Sequence, residues 1–339
     1  MVIAETGVLT RGRDTLRMVE MEVPHPGANE ILIKVSACGV CHTELDEIEG
    51  RTPPPRLPVV PGHQVVGRVA AAGPGAKRFR TGDRVGVAWI FSACGHCRFC
   101  RAGQENLCQE FKGTGRDADG GYAEFLKVHE AFAEPIPEPF SDLEAAPLLC
   151  AGAVGYRSLR LTRLRDGEPL ALVGFGASAH LVLQMARHLY PASPLLVFAR
   201  SAQEREFALG LGATWSGGHG EIPPQPPVAA IDTTPVWRPP LEALAVLAPG
   251  GRLVINAIRK EDQDKAALLE VDYPSHVWLE KEIKSVANVT RSDVSEFLRL
   301  AAEIPIRAEV QAADFAQANR ALTELKEGKI RGAKVLEMR

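Results

Sequence analysis

The stretch CGHCRFCRAGQENLC sets four thiols, Cys94, Cys97, Cys100 and Cys108, within fifteen residues. Four thiolates so close together can wrap one tetrahedral Zn²⁺ with no open coordination position, the arrangement of a structural site. Left free on a glycine-containing loop, they would be an oxidation liability. Four cysteines also suit an iron–sulfur cluster, and spacing alone does not separate the two. His96 lies between two of the cysteines and is expected to stay exposed, because four sulfurs already complete the shell.

Of seven cysteines, Cys38, Cys41 and Cys150 remain. An odd number in a chain of this length argues for metal ligation or free thiols over a disulfide framework. The stretch ACGVCHTELD spells C-x-x-C-H, the motif by which c-type haem is attached, yet the same cysteines can serve a zinc site. Haem attachment of that type takes place outside the cytoplasm. The N-terminal stretch MVIAETGVLTRGRD lacks the basic start, apolar run and small-residue cleavage site of a signal peptide, so a cytoplasmic protein is expected. The segment VVPGHQVVG adds His63. A catalytic zinc commonly takes three protein ligands and keeps the fourth position for water or substrate, and Cys41, His63 and Cys150 would supply such a set. Taken singly, each also has an ordinary reading as a small buried hydrophobe or a packed histidine.

A chain of 339 residues exceeds what one core usually serves, so two domains are expected. With 45% hydrophobic residues and no apolar run long enough to span a bilayer, the composition is that of a globular protein with no membrane partner. The formal charge of −3 offers no surface for nucleic acid or anionic lipid. No basic stripe flanks the cysteine loop either, which sets aside a zinc-ribbon nucleic-acid binder.

Up to about residue 150, short β-branched runs such as EILIKVSACGV, VVGRVAAAG and GDRVGVAWI alternate with Gly and Pro breaks, the texture of an antiparallel, barrel-like domain. From about residue 151 the rhythm changes to buried strands alternating with helices: PLALVGFG, ASAHLVLQMARHL, LLVFA, AQEREFALGLGA, VAAID and LEALAVLAPGGRLVINA. That alternation implies βαβ units and a parallel sheet, making the chain α/β. EIPPQPP and PVWRPP read as loops, since proline fits neither element's interior. Two amphipathic helices and a strand, AKVLEM, end the chain; that strand can close the parallel sheet or return to the first domain.

Gly174, Phe175, Gly176, Ala177, Ser178 and Ala179 form a G-x-G-x-x-A after a strand and at the start of a helix. Glycine there permits the tight turn and a close backbone approach to a coenzyme pyrophosphate at the positive helix end. His180 is read as a packing or surface residue. At the end of the second strand an NAD site carries Asp or Glu, whereas an Arg nearby accommodates a 2′-phosphate. This chain has Ala199 in that place, followed by Arg200 and Ser201, so NADP(H) is the expected coenzyme, with NAD(H) as the alternative.

In order along the chain, CGVCHTELD, PGHQVVGRV, GDRVGV, the four-cysteine loop, DGGYAEF, CAGAVGY and VGFGASAH resemble the zinc-dependent medium-chain dehydrogenase/reductase family, and in particular its microbial alcohol dehydrogenase branch. The resemblance implies a GroES-like β-barrel catalytic domain over residues 1–150 plus 287–339, and a Rossmann doubly wound coenzyme domain over 151–286. It implies two zinc ions per chain: a catalytic one on Cys41, His63 and Cys150, and a structural one on Cys94, Cys97, Cys100 and Cys108. Cys38 is then a spare thiol, His42 faces the pyrophosphate, and Thr43 is the hydroxyl that bonds substrate oxygen and starts the proton relay. Glu44 matches an acidic residue that orients the ligating histidine. Trp89 matches an aromatic that walls the substrate pocket. Three positions depart from the family: Gln64 stands for a carboxylate after the histidine, Asp46 for a relay histidine, and Val154 for a threonine near the nicotinamide. Ala333 stands where an Arg often touches the pyrophosphate, with Arg331 and Lys334 as substitutes.

The expected activity is reversible hydride transfer between a primary or secondary alcohol and NAD(P)⁺, giving an aldehyde or ketone. An NADPH-dependent aldehyde reductase of the cinnamyl alcohol dehydrogenase type is the alternative within the class. A zinc or redox sensor on the same fold is a third reading, which Gln64, Asp46 and Cys38 permit and the ligand trio with Thr43 opposes. The small-molecule substrate is the expected partner, together with further copies of the chain as a homodimer or homotetramer.

Overall fold

A computed structural model describes residues 1–10, 14–304, 306–330 and 332–338. The chain divides into two compact units. The first comprises Met1–Ala153, Val289–Glu303 and Arg307–Arg339; the second comprises Val154–Asn288 and Ile304–Ile306. Among the described residues no helix is long and apolar enough to cross a membrane.

In the first unit, strands β1 (Glu30–Val40), β2 (Val65–Ala72), β3 (Arg84–Val87), β4 (Phe125–His129) and β5 (Ala133–Pro135) form the body of an antiparallel sheet, with helix α1 (His42–Ile48) directly after β1. Alternation places Ile31, Ile33 and Val35 inward on β1, each less than 4% exposed, while Lys34 between them is exposed. A kink in the β1–β2 register between Val35 and Ala37 re-aims the last residues of β1, where Cys38 opposes Val65. Those last residues run straight into Cys41.

The second unit is built on strands β6 (Leu170–Val173), β7 (Leu195–Phe198), β8 (Trp215–Gly217), β9 (Ala229–Asp232), β10 (Arg252–Ile255) and β11 (Glu282–Ser285). Helices α2 (Ala179–Leu189), α3 (Ala202–Gly210) and α4 (Arg238–Val246) connect them. Among the described residues the order is β8-β7-β6-β9-β10-β11, all parallel. The order reverses between β6 and β9, the switch point at which doubly wound sheets bind nucleotides. β6, β7 and β9 are buried at every residue, which explains their unbroken apolar runs.

The chain then returns to the first unit through α5 (Arg291–Glu303), β12 (Val310–Asp314), α6 (Ala318–Lys326) and β13 (Ala333–Glu337). β13 pairs antiparallel with the end of β1, Leu336 opposite Cys38, and parallel with β12. The AKVLEM strand therefore completes the first sheet, and β11 closes the second. One sequence expectation is corrected: PVWRPP is not all loop, because α4 begins at Arg238 and contains Pro239 and Pro240. Amide groups in a helix's first turn have no intrahelical acceptor, so proline there removes no hydrogen bond, and its fixed φ suits the helix.

Candidate functional site

Cys41 leaves β1 in extended conformation as the N-cap of α1 and brings Thr43 and Glu44 into the helix's first turn. His63 stands just before β2, and Cys150 lies on a π-helical turn, Leu148–Gly152. From these three places the Cys41, His63 and Cys150 ligand atoms come within 4.8 Å of one another, with His63 Nε2 3.2 Å from Cys150 Sγ. A tetrahedral zinc with ordinary bond lengths has N···S edges of about 3.5 Å and S···S edges of about 3.8 Å, so the set fits one ion with a fourth position left over. Glu44 spans two of the participants: its Oε1 lies 2.6 Å from His63 Nδ1 and its Oε2 accepts the Cys41 N–H at 2.8 Å. Both Glu44 and His63 are buried, and the Trp89 ring meets His63 at 88° with centroids 5.1 Å apart.

Charge in this cluster is strongly coupled. A hydrogen bond from Cys150 holds the Cys41 thiol well below its ordinary range, with His63 acting in the same direction against burial. Cys150 is correspondingly raised, first by that hydrogen bond and then by burial. Burial opposes a charged His63, but the Glu44 carboxylate and Cys41 outweigh it and hold the imidazole well above its usual value. Burial raises Glu44, and the imidazole pulls the other way.

Around this trio, Thr43 is buried with Oγ1 3.7 Å from Cys41 Sγ. His42 is exposed on the first residue of α1. Asp46 is buried and accepts from Arg51 Nε at 2.6 Å, so an ion pair holds it. Gln64 is also buried, its side chain packed against Gly39 of β1. Cys38 is fully buried in the sheet core, and burial pushes its thiol up, so the C-x-x-C-H does not offer the paired accessible thiols that haem attachment needs. Glu47 was not singled out by the sequence. It is 1% exposed, one turn beyond Thr43 and Glu44, and among the described residues its Oε1 has no hydrogen-bond partner. Burial, and then the like charge of Glu44, raise it well above the carboxylate range. Its spacing from Thr43 and Glu44 was the available signal, since i+3 and i+4 share a helix face.

The four-cysteine segment gathers Cys94, Cys97, Cys100 and Cys108 within 4.8 Å, with Cys94 and Cys100 sulfurs 3.9 Å apart, close to the tetrahedral S···S edge. The backbone N–H of Cys97 donates to Cys94 Sγ at 3.3 Å. Backbone donation at Cys100 lowers Cys97 to about 7, while burial raises Cys100 to about 12. His96 is exposed, with Nδ1 2.9 Å from the Cys94 carbonyl.

In the second unit, β6 runs into Gly174 at φ +81, where a side chain would be strained and would also meet Thr233 and Thr234 after β9. A Cβ at Gly176 would meet open space, and Ala177 and Ser178 are half-buried ahead of α2, which begins at Ala179. Phe175 packs edge-on against Phe207, and His180 is buried with Nδ1 3.1 Å from the Gly176 carbonyl. Ala199 is buried and Arg200 exposed. Ser201 caps α3, accepting the Glu204 N–H at 3.2 Å and donating to its carboxylate at 2.9 Å. Arg205, another residue not singled out, donates to the carbonyls of Ala199 and Arg200 at 2.9 and 3.0 Å. Two guanidinium groups and one carboxylate thus surround the end of β7. Buried Lys260 pairs with Asp232 and donates to the Thr234 and Val236 carbonyls at 2.8 and 2.9 Å, tying down the loop after β9. Arg331 lies outside the described residues, and Lys334 donates to Glu324 at 2.8 Å.

The alcohol dehydrogenase GroES-like domain matches residues 27–138. A Mycobacterium tuberculosis protein named "Probable alcohol dehydrogenase AdhA" is 44% identical over 326 residues, covering 95% of this chain and 92% of the relative. The chain belongs to the zinc-type medium-chain alcohol dehydrogenase family. A Geobacillus stearothermophilus alcohol dehydrogenase is 32% identical to this dehydrogenase over 99% of both chains. The cobalt- and zinc-bound thermostable alcohol dehydrogenase of Pyrobaculum aerophilum superposes with a TM-score of 0.85 at 25% identity, over 99% of this chain and 98% of that one. This dehydrogenase is accordingly an oxidoreductase acting on alcohols, with a GroES-like first unit and a Rossmann-like sheet in the second.

Proposed function

We propose that this dehydrogenase holds two zinc ions per chain, works with NADP(H) in preference to NAD(H), and serves in the cell chiefly as a reductase of small aldehydes and ketones. In this reading residues 1–150 and 287–339 form the catalytic domain and 151–286 the coenzyme domain, in a cytoplasmic homodimer or homotetramer. The convergence of Cys41, His63 and Cys150 with one coordination position to spare carries it. The zinc in the Pyrobaculum relative supports the choice of ion.

When bound, zinc supplies a Lewis acid for the substrate oxygen, and the nicotinamide supplies the hydride acceptor or donor. Glu44 fixes the His63 tautomer by taking its Nδ1 proton in a hydrogen bond, leaving Nε2 free to ligate. Thr43 takes the proton of a substrate alcohol at Oγ1 while releasing its own outward, and returns one when a carbonyl is reduced. Asp46, three residues on along α1, receives the outgoing proton at a carboxylate that Arg51 steadies. Trp89 presents an apolar wall beside His63 that excludes water. In the coenzyme domain, Gly174–Ala179 receive the pyrophosphate. Arg200 meets the 2′-phosphate beside Ser201.

The test is the initial rate of reduction of an aldehyde panel including benzaldehyde, with NADPH and NADH side by side, alongside zinc content. A clear NADPH preference and two zinc per chain are expected. An NADH preference would overturn the Arg200 assignment.

A further inference from the structure

Glu105 sits inside the four-cysteine segment, between Cys100 and Cys108, and is 3% exposed. One of its carboxylate oxygens accepts two hydrogen bonds from Arg291, from the backbone N–H at 3.0 Å and from Nε at 2.9 Å. Arg291 is the first residue of α5, and its guanidinium lies 5.0 Å from the Phe132 ring centroid. Further along α5, fully buried Phe297 covers Gly152 so closely that a Cβ there would collide with its ring. Gly152 ends the π-helical turn that carries Cys150. Segments with i→i+5 bonding are rare and occur mostly as single turns, frequently at functional sites.

We infer that the Glu105–Arg291 clasp is a positioning device for the metal centre: it ties the cysteine lobe to α5, and α5, through Phe297, holds the turn that aims Cys150 at His63. The inference rests on the proposed division of ligands between two zinc ions. A buried carboxylate that loses its cation is left uncompensated, so removing either partner releases the clasp. Loss of the clasp frees the N-terminal end of α5 and loosens the Cys150 turn, while the four thiols keep their own ion.

The experiment follows zinc release from the zinc-loaded full-length chain into a chromogenic chelator for wild type, Glu105→Gln, Arg291→Met, the double variant and Arg291→Lys. Cys150→Ala identifies the release phase that belongs to Cys41, His63 and Cys150. In each single variant that phase is expected to run about tenfold faster, with the four-cysteine phase unchanged. The double variant is expected to be no faster than either single one, because both act on one contact, and Arg291→Lys to recover part of the loss. Wild-type release from folded single variants would overturn the inference, as would equal acceleration of both phases. If the clasp variants fail to fold, Phe297→Leu carries the test: its clasp is intact, and the same single phase must accelerate. A wild-type chain in which Cys150→Ala removes no phase would instead count against the ligand assignment itself, a separate failure.

Discussion

At the residue scale, Glu44 engages two of the three candidate ligands, since one carboxylate meets both the His63 ring and the Cys41 amide. Glu44→Gln is expected to weaken zinc binding at Cys41, His63 and Cys150 by about 10- to 100-fold while the four-cysteine ion is unaffected, as read by chelator competition. The same carboxylate sets a pH dependence. Zinc requires a neutral imidazole, and Glu44 and Cys41 hold the metal-free His63 well above its usual value. Protons therefore compete with zinc below that raised value, so affinity is full at higher pH and falls as pH drops, beginning above the range where an ordinary histidine, near about 6.5, would titrate. In Glu44→Gln the decline moves to lower pH. An unchanged profile in that variant would contradict the coupling. Cys41, His63 and Cys150 were legible as a candidate set because each sits in a recognisable local motif. Glu47 was not singled out: its spacing put it on the Thr43–Glu44 face, but burial of a carboxyl on a seven-residue helix depends on what packs over it.

At the scale of elements, the proposed preference for NADP(H) rests on the turn from β7 into α3. Arg200 offers a cation next to Ala199, which stands where NAD sites place an acid, and Arg205, bonded to the Ala199 and Arg200 carbonyls, adds a second. Glu204 opposes both from the first turn of α3, although its carboxylate is engaged by the Ser201 amide and hydroxyl. Arg200→Asp is expected to raise the NADPH KM by at least about tenfold and to lower the NADH KM, with kcat for the preferred aldehyde little changed. An unmoved NADPH KM would remove Arg200 from the site. The elements themselves were legible where periodicity was strong: the runs that became β6, β7 and β9 are apolar because the sheet is covered on both faces. The start of α4 was missed because proline was weighed as an interior residue, when its first-turn position carries no such cost. The Glu105–Arg291 contact joins residues 186 positions apart, a separation at which sequence spacing carries no information.

At the scale of the molecule, the two units differ in what stabilises them. The first gathers both candidate metal clusters, whereas the second is built around its continuous buried sheet. Removing zinc with a strong chelator is therefore expected to lower amide hydrogen-exchange protection around residues 94–108 and 148–152, and to leave β6, β7 and β9 protected. Loss of protection in the parallel sheet to the same extent would show that the metals support the whole chain. The sequence announced two units through the change of rhythm near residue 151. It left open where the last strand goes, because AKVLEM is amphipathic enough for either sheet and only pairing with β1 settles it.

That pairing gives the protein a schedule. A ribosome delivers the end of β1, and with it the approach to Cys41, long before β13, the strand that flanks Ala37–Val40. The four-cysteine lobe is complete as soon as Cys108 emerges and can take its ion early. The strand end that presents Cys41 stays open on one side until β13 has been made. In the proposed two-zinc reading, the four-cysteine ion can therefore be taken up before the strand that presents Cys41 gains its second neighbour.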